Sequence, residues 1–231
     1  MGSDIEASGP RVLLRVDSVS GCLPSATQEG WTEDEQARFA GITEPARRDQ
    51  FLVAHWRVRG LAALLFGGNP GDWAFSLLPG EPATLEDRVR GTVCYGSVSH
   101  TGDVVACAVS DDVVGVDVEA IAADRDLLAL AKRCLAPEDV EAITGLEGAE
   151  QAKAFYRGWS IREALGKAAG TGLVPNTARR IHVARAEPAE ATVTLWRSPD
   201  TVLALAHGTN PRLQASVAWG KAPQHFTWDM S

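Results

Sequence analysis

Two valine-rich runs near the middle of the chain, Val104 to Val109 and Val113 to Val118, are separated only by Ser110-Asp111-Asp112. Short runs of β-branched residues bounded by polar turns read as buried strands. The second run ends in acids: Val113-Val114-Gly115-Val116-Asp117-Val118-Glu119. Strand side chains alternate between faces, so Asp117 and Glu119 share one. Gly115, inside the strand, marks a place where another backbone can come close.

About 45 residues beyond Asp117, a helical stretch carries Trp159-Ser160-Ile161-Arg162-Glu163-Ala164-Leu165-Gly166-Lys167. Glu163 and Lys167 are one helical turn apart on the same face, with the acid N-terminal to the base. Taken singly, each half is ordinary. An Asp-x-Glu is commonly a solvated strand end, and a Glu-Lys pair at this spacing is worth about 0.2–0.5 kcal/mol at a surface. Taken together, three carboxylates and a lysine suit a divalent metal held against a diphosphate. Mg²⁺ is bound by a few protein oxygens, leaving positions for substrate phosphates and water. The lysine meets the phosphate charge the ion leaves uncovered.

These residues resemble the signature of the 4′-phosphopantetheinyl transferases of the surfactin-synthetase-activating type, Gly-Val/Ile-Asp-x-Glu followed by Trp/Phe-Ser-x-Lys-Glu-Ala/Ser-x-x-Lys. Gly115, Asp117, Glu119, Trp159, Ser160, Glu163, Ala164 and Lys167 match it. Val98-Ser99-His100-Thr101-Gly102 is similar to the family's Asn-x-Ser-His-Ser/Thr-Gly segment, and Arg47 to Leu65 looks like its N-terminal helix. The resemblance implies transfer of the 4′-phosphopantetheine arm of coenzyme A to a serine of an acyl or peptidyl carrier protein, releasing adenosine 3′,5′-bisphosphate. It implies Asp117, Glu119 and Glu163 as Mg²⁺ ligands. Glu163 is alternatively the base for the serine proton. Lys167 falls on the diphosphate, and Ser99 and His100 on the coenzyme. A monomer is the family's usual state.

Three positions depart from the family pattern. Arg162 stands where lysine is usual, and the two cations are not interchangeable at a tight phosphate site. Glu81, in Gly80-Glu81-Pro82, replaces a phosphate-binding lysine. His55 stands where an arginine often serves the nucleotide 3′-phosphate. The thinned phosphate set makes Arg48 and Arg59 the expected replacement clamp. It also keeps two other readings in view, a silent relative that binds coenzyme A or a carrier without transfer, and another Mg²⁺-dependent diphosphate enzyme.

Thr32-Glu33-Asp34-Glu35 looks like a capped helix start, and Glu44-Pro45 opens a second helix. Helices are expected over Asp126 to Cys134, Pro137 to Ile143 and Ala149 to Ala169. Strands return over Ile181–Ala184, Thr192–Trp196, Val202–Ala206 and Leu213–Trp219. The segment ending at His100 before a strand is echoed by that ending at His207. The helix around Arg57–Leu65 is echoed by that around Arg162–Ala169, both at an offset of about 105 residues. A shared offset argues for duplicated α+β halves. The family's two lobes, related by pseudo-two-fold symmetry with coenzyme A between them, imply the same. The expected fold is therefore α+β with two similar lobes, each a small antiparallel sheet packed with helices. Residues 1–112 form the lobe with coenzyme contacts and residues 113–231 the lobe with the metal acids.

A net charge of −8 and the absence of a basic stripe with interleaved aromatics argue against nucleic acid. No apolar stretch approaches the roughly 18–20 residues of a membrane span. The start, Met1-Gly2-Ser3-Asp4, lacks a signal peptide's basic and apolar regions, so a cytoplasmic protein is expected. Four scattered cysteines without a Cys-x-x-Cys pair read as reduced thiols. His55, His182, His207 and His225 receive no chemical role, and Trp159 and Phe155 read as core.

Overall fold

The computed structural model describes residues 9–219 and 221–230. The expectation about Met1 to Asp4 lies outside them. The elements in chain order are β1 (Arg11–Ser18), α1 (Val19–Cys22), α2 (Glu33–Gly41), α3 (Pro45–Phe66), β2 (Trp73–Ser76), β3 (Thr84–Asp87), β4 (Val93–Thr101) and β5 (Val104–Ser110). The second half adds β6 (Gly115–Ala120), α4 (Leu127–Cys134), α5 (Pro137–Thr144), α6 (Gly148–Ala168), α7 (Pro175–Ala178), β7 (Ile181–Arg185), β8 (Val193–Arg197), β9 (Thr201–Ala206), β10 (Arg212–Ser216) and β11 (Gln224–Met230).

The strands form two sheets, ordered β10-β1-β5-β4-β3-β2 and β6-β9-β8-β11-β7. Every pairing is antiparallel except β1 with β10. A long helix covers each sheet. Helix α3 lays Val53, Val58 and Leu61 against Leu85, Val105 and Cys107. Helix α6 lays Phe155, Ile161 and Leu165 against Val193, Leu195 and Ala204. A third core joins the lobes, with Leu14 and Ala106 of the first sheet meeting Val116, Val118 and Leu203 of the second. Burying apolar side chains on both faces of these sheets is what makes the valine-rich strands continuous in hydrophobicity. The fold is α+β with two antiparallel sheets, as expected.

The halves do not divide cleanly at residue 113. Strand β10, from the second half, pairs with β1 of the first sheet, Leu14 facing Ala215. Strand β11 enters the interior of the second sheet between β7 and β8. The segment 213–219, expected as a strand echoing β5, therefore lies partly in the other lobe's sheet. Strands β2, β3 and β11 were not expected from the sequence.

Candidate functional site

Gly115 is what brings helix and strand together. A Cβ built on it would lie 1.9 Å from the carbonyl oxygen of Ala164 and 2.6 Å from the amide nitrogen of Ala168. Only glycine lets the α6 backbone rest directly on β6. That contact sets Glu163 and Lys167 beside Asp117 and Glu119.

Asp117 is buried at 3% exposure. Its Oδ1 accepts hydrogen bonds from Ser99 Oγ at 3.1 Å and Lys167 Nζ at 2.9 Å. Its Oδ2 is buried without a hydrogen-bond partner among the described residues. Lys167 is itself anchored, donating to the Val116 carbonyl at 2.9 Å. Glu119 accepts from the indole nitrogen of Trp159 at 3.0 Å. Trp159 lies one turn before Glu163, on the same face of α6, and is thus part of the site as well as of the core. The spacing was the signal that could have found it.

Burial raises the carboxyl of Glu119, and the neighbouring Asp117 charge adds to the rise, against the Trp159 hydrogen bond. Burial likewise raises Glu163, with Asp117 and Glu119 adding and Lys167 opposing. A cation placed here would relieve the mutual repulsion among the three acids. Among the described residues no three histidine, cysteine, aspartate or glutamate side chains already stand as a ready-made ligand set. The ammonium of Lys167 lies on Asp117 in its stead. The donor set still fits a hard cation, since all its ligands are carboxylates and one buried oxygen lacks a partner.

Lys167 also lines a cleft of about 340 Å³ between the lobes, with Arg38, Leu77, Leu78, Glu81 and Ser97. The cleft is bounded where loops of the two lobes touch. Gly170 has φ +73°, and a Cβ there would fall 2.0 Å from the carbonyl carbon of Glu81. His100, on β4, is half-buried. Burial lowers its imidazole, and the charges of Arg47 and Lys167 lower it further. Arg47 and Lys167 thus both lie near His100. On the same helix as Arg47, Gln50 faces inward and donates to the Gly102 carbonyl at 2.8 Å. Arg47, one turn before it, is exposed.

Arg48 and Arg59 serve the scaffold. Arg48 stacks 3.9 Å from the Phe39 ring centroid and donates to the carbonyls of Phe39 and Ile42, closing the end of α2. Arg59 is 1% exposed and donates to Trp73, His55 and Gly30 carbonyls and to Glu35 Oε2. His55 pairs with Glu35 Oε1 at 2.6 Å in the same buried network. It is a core histidine and does not mark a missing phosphate ligand. Arg162 is also 1% exposed. It donates to the carbonyls of Ala178, Gly158 and Ile181 and to Asp139. Its guanidinium needs that fork of acceptors, which explains the arginine without recourse to phosphate. Ser99, assigned to the coenzyme from the sequence, directs its one donor hydrogen to Asp117. Glu81 does line the cleft, so that departure stands at the site.

Residues 113–218 match the 4′-phosphopantetheinyl transferase superfamily. A protein of Synechocystis sp. provisionally named as a 4′-phosphopantetheinyl transferase is 28% identical over 194 residues, 81% of this chain and 78% of its own. The 4′-phosphopantetheinyl transferase HetI of Nostoc sp. is 29% identical over 71% of this chain and 70% of its own. A 4′-phosphopantetheinyl transferase of Bacillus subtilis is 28% identical over 53% of this chain and 52% of its own. A holo-(acyl-carrier-protein) synthase from Bacillus anthracis, crystallised with coenzyme A, superposes on 40% of this chain and 90% of its own. Its TM-score is 0.34 and its identity 18%, a likeness too slight to bear on the site.

Proposed function

We propose that this chain, an enzyme of the 4′-phosphopantetheinyl transferase class, moves the phosphopantetheine arm of coenzyme A to a serine of an acyl or peptidyl carrier protein in a Mg²⁺-dependent reaction. The observation that carries the reading is the convergence of Asp117, Glu119, Glu163 and Lys167 across the β6–α6 contact, beside a cleft, with Asp117 Oδ2 unpartnered. Asp117, through that oxygen, and Glu119 would hold the ion. When bound, Mg²⁺ supplies positive charge to the diphosphate and makes its phosphorus a better electrophile.

The chain's own groups do the rest. The carrier serine oxygen bonds to the phosphorus bearing the pantetheine. The bond from that phosphorus to the bridging oxygen breaks, and adenosine 3′,5′-bisphosphate departs with the electron pair. Glu163 takes the serine proton. Its raised pKa brings it nearer working pH, where a base is most effective. Lys167 stabilises the charge that grows on the leaving oxygen. Arg47 and His100 offer positive charge and a hydrogen-bonding ring to the nucleotide phosphates. The acidic Glu81 in the same cleft lowers affinity for that anion.

The test is the intact mass of an apo carrier protein after incubation with the protein, coenzyme A and Mg²⁺. A gain of about 340 Da, the mass of the arm, is expected with wild type, and Asp117→Ala should reduce its rate by about 10²–10⁴-fold. Coenzyme A binding without any gain across several carriers would favour a silent relative. Diphosphate turnover without a carrier would favour a hydrolase.

A further inference from the structure

The lobes are joined by three hydroxyls in a row. Ser97, Ser99 and Thr101 alternate along β4 and so lie on one face of the first sheet. Strand β6 is the edge of the second sheet, and its outward N–H groups would be unpaired there. Each finds a hydroxyl. Val116 N–H donates to Ser97 Oγ at 2.9 Å, Val118 N–H to Ser99 Oγ at 3.2 Å, and Ala120 N–H to Thr101 Oγ1 at 3.3 Å. Side chains on the face of one sheet thus complete the open edge of the other. Their two-residue repeat fixes the register between the lobes.

Ser99 differs from its neighbours in one respect. Because its lone pair already accepts from Val118, its own hydrogen is free to turn elsewhere, and it meets Asp117 Oδ1 at 3.1 Å. The terminal torsion of an aspartate is broad and nearly two-fold, so nothing intrinsic selects one oxygen over the other. Here the serine and Lys167 both bind Oδ1, which leaves Oδ2 as the oxygen without a donor. We propose that Ser99 is a positioning residue of the acidic site: the hydroxyl that locks the lobes also fixes the Asp117 carboxylate so that Oδ2 is the oxygen presented to the cation.

The inference rests on the transferase reading above, and the experiment separates the two. Thr101→Ala removes a lobe-joining hydroxyl that touches no acid and does not line the cleft, and so serves as the control for Ser99→Ala. Mn²⁺ is titrated into each protein at saturating coenzyme A, with the free ion followed by electron paramagnetic resonance, and thermal midpoints are recorded alongside. The two alanine variants are expected to lose similar thermal stability. Only Ser99→Ala should weaken Mn²⁺ binding, by about 10–100-fold, the range seen when the partner of a metal ligand is removed. Ser99→Thr, which keeps the hydroxyl, should restore most of the affinity. Equal Mn²⁺ affinity in Thr101→Ala and Ser99→Ala, with wild-type binding intact, would overturn the positioning role and leave the transferase reading standing. A wild type whose Mn²⁺ affinity matches that of Asp117→Ala would overturn both.

Discussion

Each lobe carries a long helix that sends one arginine inward, and the two arginines are bonded almost alike. Arg59 and Arg162 each donate through Nη1 to the carbonyl four residues back and through Nε to the carbonyl of a residue near the start of the next strand. Each also meets a carboxylate through Nη2. The carboxylates differ. Glu35 is buried and shared with His55, whereas the Asp139 side chain is 23% exposed. The strands beneath the helices differ more. Among the described residues only Gly115, in the second lobe, lets a sheet strand touch the backbone of its covering helix, and there Asp117, Glu119 and Glu163 come together. The scaffold is duplicated and the chemistry is not. A fold repeated within one chain leaves one copy free to hold and the other to react.

The largest expected effect breaks the helix–strand contact. Gly115→Ala places a methyl against backbone atoms of α6 that cannot yield. Displacing a catalytic helix by about 1 Å costs on the order of 10²-fold in rate. Intact-mass transfer assays should show that loss with a lowered thermal midpoint. Gly60→Ala, on the first lobe's helix, meets nothing within 4 Å and is the control. A Gly115→Ala enzyme with normal rate would mean the contact is incidental.

The next effect sharpens the comparison of arginine partners. Glu35→Ala leaves two cationic or polar partners buried and should destabilise by about 3–5 kcal/mol. Asp139→Ala strands Arg162 with three carbonyl acceptors and water within reach, and should cost about 1–2 kcal/mol. Urea unfolding of the two variants gives the values. Equal losses would show that exposure of the carboxylate does not matter.

The smallest effect is one of pH, and it has opposite signs in the two lobes. Burial works against ionisation of Glu35, but hydrogen bonds from His55, Arg59 and Thr32 outweigh it and hold the group at about 2. A depressed acid contributes stability that is present above its ordinary value of 4.5 and is lost as pH falls from there towards 2. Glu119 and Glu163 are raised, so they protonate first on acidification, above 4.5. Their ionisation opposes folding as pH rises, so their protonation costs the fold nothing. The lowered imidazoles of His55, His100 and His207 erode the midpoint gently below 6.5, and protonation of Glu35 should add a steeper drop only below about 4.5, after transfer has already faded. Rate and midpoint followed on the same protein test this. Coincident pH profiles would erase the distinction.

Much of this was legible in the amino-acid order. The β6 acids and the α6 pair could be read because a valine run and a helical repeat each fix which side chains share a face. The Thr32 cap was legible too, and Glu35 does complete its capping box, accepting from the Thr32 N–H at 2.8 Å. What could not be read is that the same carboxylate turns inward to Arg59 and His55, since a local motif says nothing of long-range partners. Arg48 and Arg59 looked like phosphate ligands for the same reason. Strands β2 and β3 have four residues each, between prolines and glycines, too short to show alternation. The crossing of β10 to the first sheet depends on which edge is open, a property of the assembled molecule.

The place of β11 bears on how the molecule comes into being. Because Gln224–Met230 pairs on one side with β7 and on the other with β8, the second sheet has a gap in its middle until those residues arrive. A ribosome can release the whole first helix, the acids and α6 while β7 and β8 still present bare edges to each other and to neighbouring chains. Synthesis halted before Gln224 would leave a product with most of its active residues and a split sheet. The window of exposure to aggregation thus stays open until Gln224–Met230 have been made.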